Sequence, residues 1–311
     1  MLNEARIVLM GFGAQGRAEA LNLRRSGVSF TLALRPNGPS WKRAIADEFQ
    51  PIPLEAGLQV ADSVVLNLPD QNQGPFYQQY LAHLQLKRIV FAHGFNTHFK
   101  LIPILADGPS HILVAPKGAA SGLIEFYGTP NALPAILARE GNLNEKEDKD
   151  FAEHYARAIG CHPKMSIWAS FKDETECDLF SEQSLLCGGV SALLRRAFET
   201  LQEAGYNPEA AYLETLYELK LIVDLIWKQG ITGMRSRISP TARYGDITRG
   251  DRIIDESVKE RMKKILQEIQ SGQFTKEFLA EIDSEKFKSL EKTQANHALE
   301  EIGLRVREKL Q

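Results

Sequence analysis

Short apolar runs alternate with helical patterns in the first half of this chain, and long helical patterns fill the second. The runs at 6–10, 28–34, 63–68, 88–92 and 111–115 are each long enough for one buried strand, and helical stretches separate several of them. Buried runs spaced by helices predict a mainly parallel sheet with crossover connections. Beyond about Trp168 the strand pattern stops. Helical periodicity follows at 174–186, 189–204, 209–228 and 256–269, and 276–311 reads as a charged helical tail. The expected architecture is an α/β domain over 1–168 and an all-α domain over 169–311. The stretch 141–148 reads as a loop leading into a helix, not as a boundary.

The polar positions add the chemistry. Gly11-Phe12-Gly13-Ala14-Gln15-Gly16 follows the first strand and opens a helix. In that setting Gly11 permits a tight turn, Gly13 admits a pyrophosphate and Gly16 lets helix and strand pack closely, with Ala14 and Gln15 between them. The helix N-terminus supplies amide donors for the phosphates. The first domain is therefore expected to be Rossmann-like. The second strand ends in Arg35, where an NAD-selective site usually carries an acidic residue for the ribose. Arg35 suits a 2′-phosphate, with Ser40 and Arg43 nearby, so NADP(H) is favoured over NAD(H). A surface arginine in a loop is the plainer reading.

Two other strand ends carry reactive groups. His93 follows the run at 88–92, and Lys117 follows the run at 111–115. Ligands of open parallel sheets bind beyond the carboxyl ends of the strands. Alone, His93 reads more often as a structural histidine and Lys117 equally as a surface residue or an anion clamp; their joint position beside a dinucleotide site favours an active-site role.

Four carboxylates stand out in the helical half. Asp178 and Glu182 are spaced i, i+4, as are Glu214 and Glu218, which puts each pair on one helix face about 6 Å apart along the axis. The segment around Glu214 and Glu218 is apolar almost all round, the pattern of a buried helix. Buried carboxylates need cations, and these pairs can hold two magnesium ions through oxygen. A solvated helix face is the alternative for Asp178 and Glu182, and for 172–176 it is the reading adopted. Ser239 reads as a loop or cap serine.

Composition narrows the classes. The chain has 311 residues, 43% hydrophobic and 25% charged, with a net charge of −3, which gives no nucleic-acid footprint. No apolar run is long enough to span a membrane. Cys161, Cys177 and Cys187 lack metal or redox spacing and read as reduced packing residues. The first strand starts close to residue 1, so no targeting segment is expected and the location expected is cytoplasmic.

Several stretches together resemble ketol-acid reductoisomerase in its short, class I form, across nearly the whole chain. They are Gly-Phe-Gly-Ala-Gln-Gly, Leu-Arg-Pro, Phe-Ala-His-Gly-Phe-Asn, Ala-Pro-Lys-Gly, Phe-Lys-Asp-Glu-Thr-Glu-Cys-Asp-Leu-Phe-Ser-Glu-Gln, Leu-Cys-Gly-Gly-Val, Glu-Ala-Gly-Tyr-Asn-Pro-Glu and Tyr-Glu-Leu-Lys-Leu-Ile-Val-Asp-Leu-Ile. The resemblance implies a Rossmann domain followed by a knotted helical domain that completes its site in a homodimer; larger homo-oligomers stay open. It implies Asp178 as the carboxylate bridging two magnesium ions, Glu182 as a ligand of one, and Glu214 and Glu218 as the pair lent by the partner subunit. It implies catalytic roles for His93, Lys117 and Glu218, and contact of Ser239 with the substrate carboxylate. The implied reaction is an alkyl shift in 2-acetolactate or 2-aceto-2-hydroxybutyrate, then reduction by NADPH to the dihydroxy acid, on the route to valine, leucine and isoleucine.

The chain departs from the family pattern in places. Ala119-Ala120-Ser121-Gly122-Leu123-Ile124 replaces the usual Pro-Gly-His-Thr-Val-Arg, and Arg243 stands where the family carries an acidic residue. Asn37-Gly38-Pro39 fills the middle of the cofactor loop, and the N-terminal arm is short. These departures motivate two alternatives: a divergent NADPH-dependent 2-keto acid reductase without isomerase activity, and a non-catalytic NADPH-binding paralogue.

Overall fold

In the computed structural model, which describes residues 2–141 and 144–309, eight strands form a single sheet. They are β1 (Ile7–Met10), β2 (Thr31–Leu34), β3 (Ile52–Pro53), β4 (Ser63–Leu66), β5 (Arg88–Phe91), β6 (Ser110–Pro116), β7 (Ala135–Glu140) and β8 (Ile167–Trp168). Their spatial order is β3-β2-β1-β4-β5-β6-β7-β8. Every neighbouring pair from β3 to β6 is parallel; β7 runs antiparallel to β6, and β8 is parallel to β7. The mainly parallel α/β reading therefore holds. β3, β7 and β8 add to the five strands expected. Two of them are only two residues long, and the four apolar residues that open β7 give way to Arg139 and Glu140.

Alternation within β1 shows how the sheet is covered. Ile7 and Leu9 join one core cluster with Leu23, Phe151 and Tyr155, whereas Val8 and Met10 join another with Leu58, Phe76 and Phe171. Side chains at successive positions face opposite sides of a strand, so both faces of the sheet are buried. The register pairs Met10 with Ala33 and with Leu66, and Phe91 with Leu113. The carboxyl ends of β1, β2, β4, β5 and β6 thus open along one edge, where the site residues of this unit gather. Asn144 caps the helix Glu145–Ala158 through the amide of Glu147; positions 142 and 143 of the expected loop lie outside the described residues.

The chain divides into two compact units, Met1–Cys177 and Asp178–Gln311. The second is helical throughout its described residues. Its long helices are Gly188–Glu203, Glu218–Arg237, Pro240–Ile253 and Glu256–Gln270, and the tail forms three more, Gln273–Glu281, Glu285–Ala295 and Ala298–Glu308. The helix Glu218–Arg237 breaks at Gly230, whose φ of 69° is in the left-handed region. Two wide π turns, Glu182–Leu186 and Leu213–Tyr217, interrupt the regular winding. Phe198, Tyr212, Leu299, Ile302 and Val306 make a small core that ties the last helix to Pro208–Tyr212.

Burial in this unit corrects one expectation. Glu214 and Glu218 are exposed, and so are Leu213, Tyr217, Leu221, Val223 and Trp227 around them, with Trp227 at 74%. The apolar pattern is real, but a single chain does not cover it. Among the described residues no helix is long and apolar enough to cross a membrane.

Candidate active site

The glycine turn is shaped by its neighbours. Gly11 has φ +98°, and a Cβ on it would lie 2.2 Å from the carbonyl oxygen of Asn67. On Gly16 a Cβ would lie 2.4 Å from the carbonyl oxygen of Gly11. Gly13 differs: a Cβ there would meet no protein atom within 4 Å. Two glycines are required by packing, and the middle one faces open space where a ligand backbone can approach. Gly13 is also the N-cap of the helix Ala14–Arg25 and supplies no side-chain cap, so the first-turn amides are left for an anion. On one side of the turn lies a cavity of about 300 Å³ lined by Met10, Leu34, Arg35, Ser40, Leu54 and Phe76. On the other lies one of about 350 Å³ that includes Ala14, Gln15, Asn67, Gln73, His93 and Pro116. These two spaces suit the two halves of a dinucleotide. Arg35 is exposed at the end of β2, and Ser40 lies in the first turn of the helix Pro39–Ala46.

His93, in the lining of the second cavity, belongs to a charged cluster. His93 and Lys117 follow β5 and β6, and both reach one buried carboxylate, Glu174. Its Oε1 accepts from Lys117 Nζ at 2.7 Å and lies 3.1 Å from His93 Nδ1; its Oε2 accepts from the Gly94 amide at 2.9 Å. Burial opposes the charge on Glu174, but His93 and Lys117 overcome it and hold the carboxyl at about 2. A Cβ on Gly94 would lie 2.4 Å from Thr175 Oγ1, so glycine here is what lets the helix Phe171–Ser181 come close. That helix is fixed at its start by Ser170 and Asp173: the Ser170 amide donates to Asp173 Oδ2 and the Asp173 amide to Ser170 Oγ. The Lys117 amide donates to Pro134 O, which ties the end of β6 to the start of β7.

Glu174 is the residue that reading the sequence missed. The stretch 172–176 was expected to be a solvated face, yet Glu174, Thr175 and Glu176 are buried, with Glu174 at 1% exposure. The signal was present in the spacing. Glu174, Asp178 and Glu182 recur every four residues, so Glu174 extends the pair by one turn.

The remaining candidates lie in the second unit. Asp178 is half-buried, one turn beyond Glu174 on the same helix, and Glu182 is exposed at the first position of a π turn. Glu214 lies within the other π turn and Glu218 directly follows it. Such turns often mark functional positions. All four offer carboxylate oxygens, the donor type that hard divalent cations take. Ser239 caps the helix Pro240–Ile253, its oxygen accepting from the Ala242 amide at 3.1 Å.

A glycine turn at β1, a cavity on either side of it and a charged cluster at the strand ends define a nucleotide-binding oxidoreductase domain. Comparison with known proteins carries this further. A family model described as "Acetohydroxy acid isomeroreductase, NADPH-binding domain" matches residues 1–164, and one described as "Ketol-acid reductoisomerase, C-terminal domain" matches residues 171–311. A ketol-acid reductoisomerase (NADP(+)) from Xanthomonas axonopodis pv. citri (strain 306) is 42% identical over 312 residues, covering 99% of this chain and 93% of that protein. The solved structure of an NADH-preferring ketol-acid reductoisomerase from an uncultured archean superposes with a TM-score of 0.91 at 35% identity, over 99% of this chain and 95% of that one. A semialdehyde dehydrogenase NAD-binding protein from Cupriavidus necator shares the fold alone, with a TM-score of 0.61 at 18% identity over 84% of this chain and 99% of that one. The chain belongs to the ketol-acid reductoisomerase family and is an enzyme of the oxidoreductase and isomerase class.

Proposed function

We propose that this chain is a magnesium-dependent ketol-acid reductoisomerase that uses NADPH, works in the cytoplasm as a homodimer, and converts 2-acetolactate or 2-aceto-2-hydroxybutyrate to the 2,3-dihydroxy acid. The observation that carries the reading is Glu174 held between Lys117 and His93 beside the glycine turn, with Asp178 one turn further along its helix. NADPH is supported by Gly13, where a side chain would meet open space, and by Arg35 and Ser40 in the lining of the cavity beyond Gly11. Magnesium is supported by the donor set of Asp178, Glu182, Glu214 and Glu218, all carboxylates.

Bound magnesium would polarise the ketone and acidify the tertiary hydroxyl of the substrate, and bound NADPH would supply the hydride. The chain's own groups do the positioning. Glu174 fixes the ammonium of Lys117 and orients His93 through Nδ1. Lys117 directs one ammonium donor at Glu174, which fixes its positive charge at the end of β6, where a substrate oxygen would meet it. Glu218 is the carboxylate assigned to proton relay. Ser239 keeps its hydroxyl hydrogen for the substrate carboxylate, because its helix-cap bond uses only a lone pair. A homodimer is supported by the exposed Leu213, Tyr217 and Leu221, four residues apart along the segment that bears Glu214 and Glu218. Each protomer would lend that pair to the other's cleft.

The test follows NADPH oxidation with 2-acetolactate, with magnesium and with excess chelator. Magnesium-dependent oxidation is expected, and Glu214→Gln should abolish it while NADPH still binds. Normal turnover by that variant would overturn the metal assignment. Turnover of 3-hydroxy-2-keto acids without turnover of acetolactate would identify a reductase that lacks isomerisation.

A further inference from the structure

Beneath the glycine turn lies a carboxyl group that none of the roles above uses. Glu19, on the helix Ala14–Arg25, is 1% exposed. Three neutral donors meet it. Gln15 Nε2 donates to Oε1 at 2.9 Å; Asn67 Nδ2 and the Tyr155 hydroxyl donate to Oε2 at 2.7 and 2.9 Å. Burial pushes the Glu19 carboxyl above its ordinary range, and the bonds from Asn67, Gln15 and Tyr155 pull it back. A buried carboxyl group among neutral partners is a poor choice for packing alone, since an apolar side chain would avoid its desolvation.

Its partners show where it acts. Gln15 and Asn67 both line the cavity that runs from the glycine turn to His93, and neither lines the cavity of Arg35 and Ser40. Asn67 Oδ1 is buried without a partner, so the bond from Asn67 to Glu19 is what holds that amide. Asn67 also abuts the turn, its carbonyl oxygen against Gly11 and its Cβ 3.1 Å from where a Cβ on Gly16 would sit. Tyr155 joins the bracket to the helix Glu145–Ala158.

We propose that Glu19 is a positioning residue for the nicotinamide half of the cofactor. From below the turn its carboxyl group holds Gln15 and Asn67 in the wall of the cavity that reaches His93, and it leaves the adenosine-side cavity untouched. This rests on the NADPH reading above.

Glu19→Gln keeps the size of the side chain but replaces one acceptor oxygen with a donor, so at least one of the two amides must turn or part from it. Calorimetric titration should show NADPH bound about tenfold more weakly by the variant. Adenosine 2′,5′-bisphosphate, which fills only the adenosine side, should bind unchanged. In turnover the KM for NADPH should rise and kcat should fall as well, because the nicotinamide held by this wall carries the transferred hydride. Asn67→Ala provides a second route to the same split if Glu19→Gln does not fold. Parallel weakening of both ligands would make Glu19 a support for the whole turn and overturn the proposal, as would unchanged binding of both. A wild-type protein that binds neither ligand would overturn the NADPH reading and the role of Glu19 with it; one that binds both equally in wild type and variants would overturn Glu19 alone.

Discussion

Replacing Glu174 by glutamine tests the cluster at the strand ends most directly. The variant keeps the shape of the side chain and removes the charge that faces Lys117 and His93. The Glu174 carboxyl is held at about 2, against an ordinary value of 4.5. At about 1.4 kcal/mol per pH unit, that difference corresponds to ~3 kcal/mol of stabilisation at neutral pH. The sign follows from the depressed value. The stabilisation is complete above 4.5 and is lost as the pH falls through about 2. A similar figure follows from the general penalty of about 3–5 kcal/mol for removing one partner of a buried ion pair. Urea unfolding of the wild type and Glu174→Gln at pH 7 and at pH 3 measures it. The variant should be less stable by ~3 kcal/mol at pH 7, and the gap should narrow at pH 3. Activity should drop about a hundredfold, because Lys117 and His93 lose the group that fixes their positions. A gap at pH 7 below about 0.5 kcal/mol, the scale of an exposed pair, would refute the reasoning. So would an equal gap at both pH values.

Other expectations separate packing from binding. Gly13→Ala should leave thermal stability unchanged yet weaken NADPH about tenfold or more, whereas Gly16→Ala, whose Cβ would lie 2.4 Å from Gly11 O, should lower stability by ~2 kcal/mol; differential scanning calorimetry and titration distinguish them. Arg35→Ala should raise the KM for NADPH about tenfold with little change for NADH, and equal losses for both cofactors would remove Arg35 from the 2′-phosphate site. Trp227→Asp should shift the protein toward monomer in size-exclusion light scattering, because Trp227 is 74% exposed among other uncovered apolar residues; an unchanged mass would exclude this face from the interface.

The parallel core was legible because β1, β4, β5 and β6 are continuous apolar runs, the signature of strands buried on both faces. β7 was not, because it reverses direction and ends in charged residues. The glycine turn could be read residue by residue, since Gly11 and Gly16 are forced by atoms of Asn67 and Gly11 that lie close to them. Glu174 was hidden by its neighbours. Lys172 and Asp173 are exposed and give the stretch a solvated look, while helical phase carries Glu174 inward to Gly94. The segment around Glu214 and Glu218 failed for another reason. Hydrophobicity predicts burial, but this chain by itself leaves Leu213, Tyr217 and Trp227 in solvent.

The helix Phe171–Ser181 carries a constraint on how this chain can change. It holds the last residues of one compact unit and the first of the other, and it bears Glu174 and Asp178 on one face. Each residue advances a helix by about 100°. Deleting or inserting a single residue between Glu174 and Asp178 would swing one carboxylate a quarter-turn from the other, whatever its neighbours did. Substitutions on the outer face of this helix can accumulate, and the loops elsewhere can lengthen, but its residue count cannot drift. Length is the constrained quantity here: three positions between two acids, set by rotation rather than by what those positions contain.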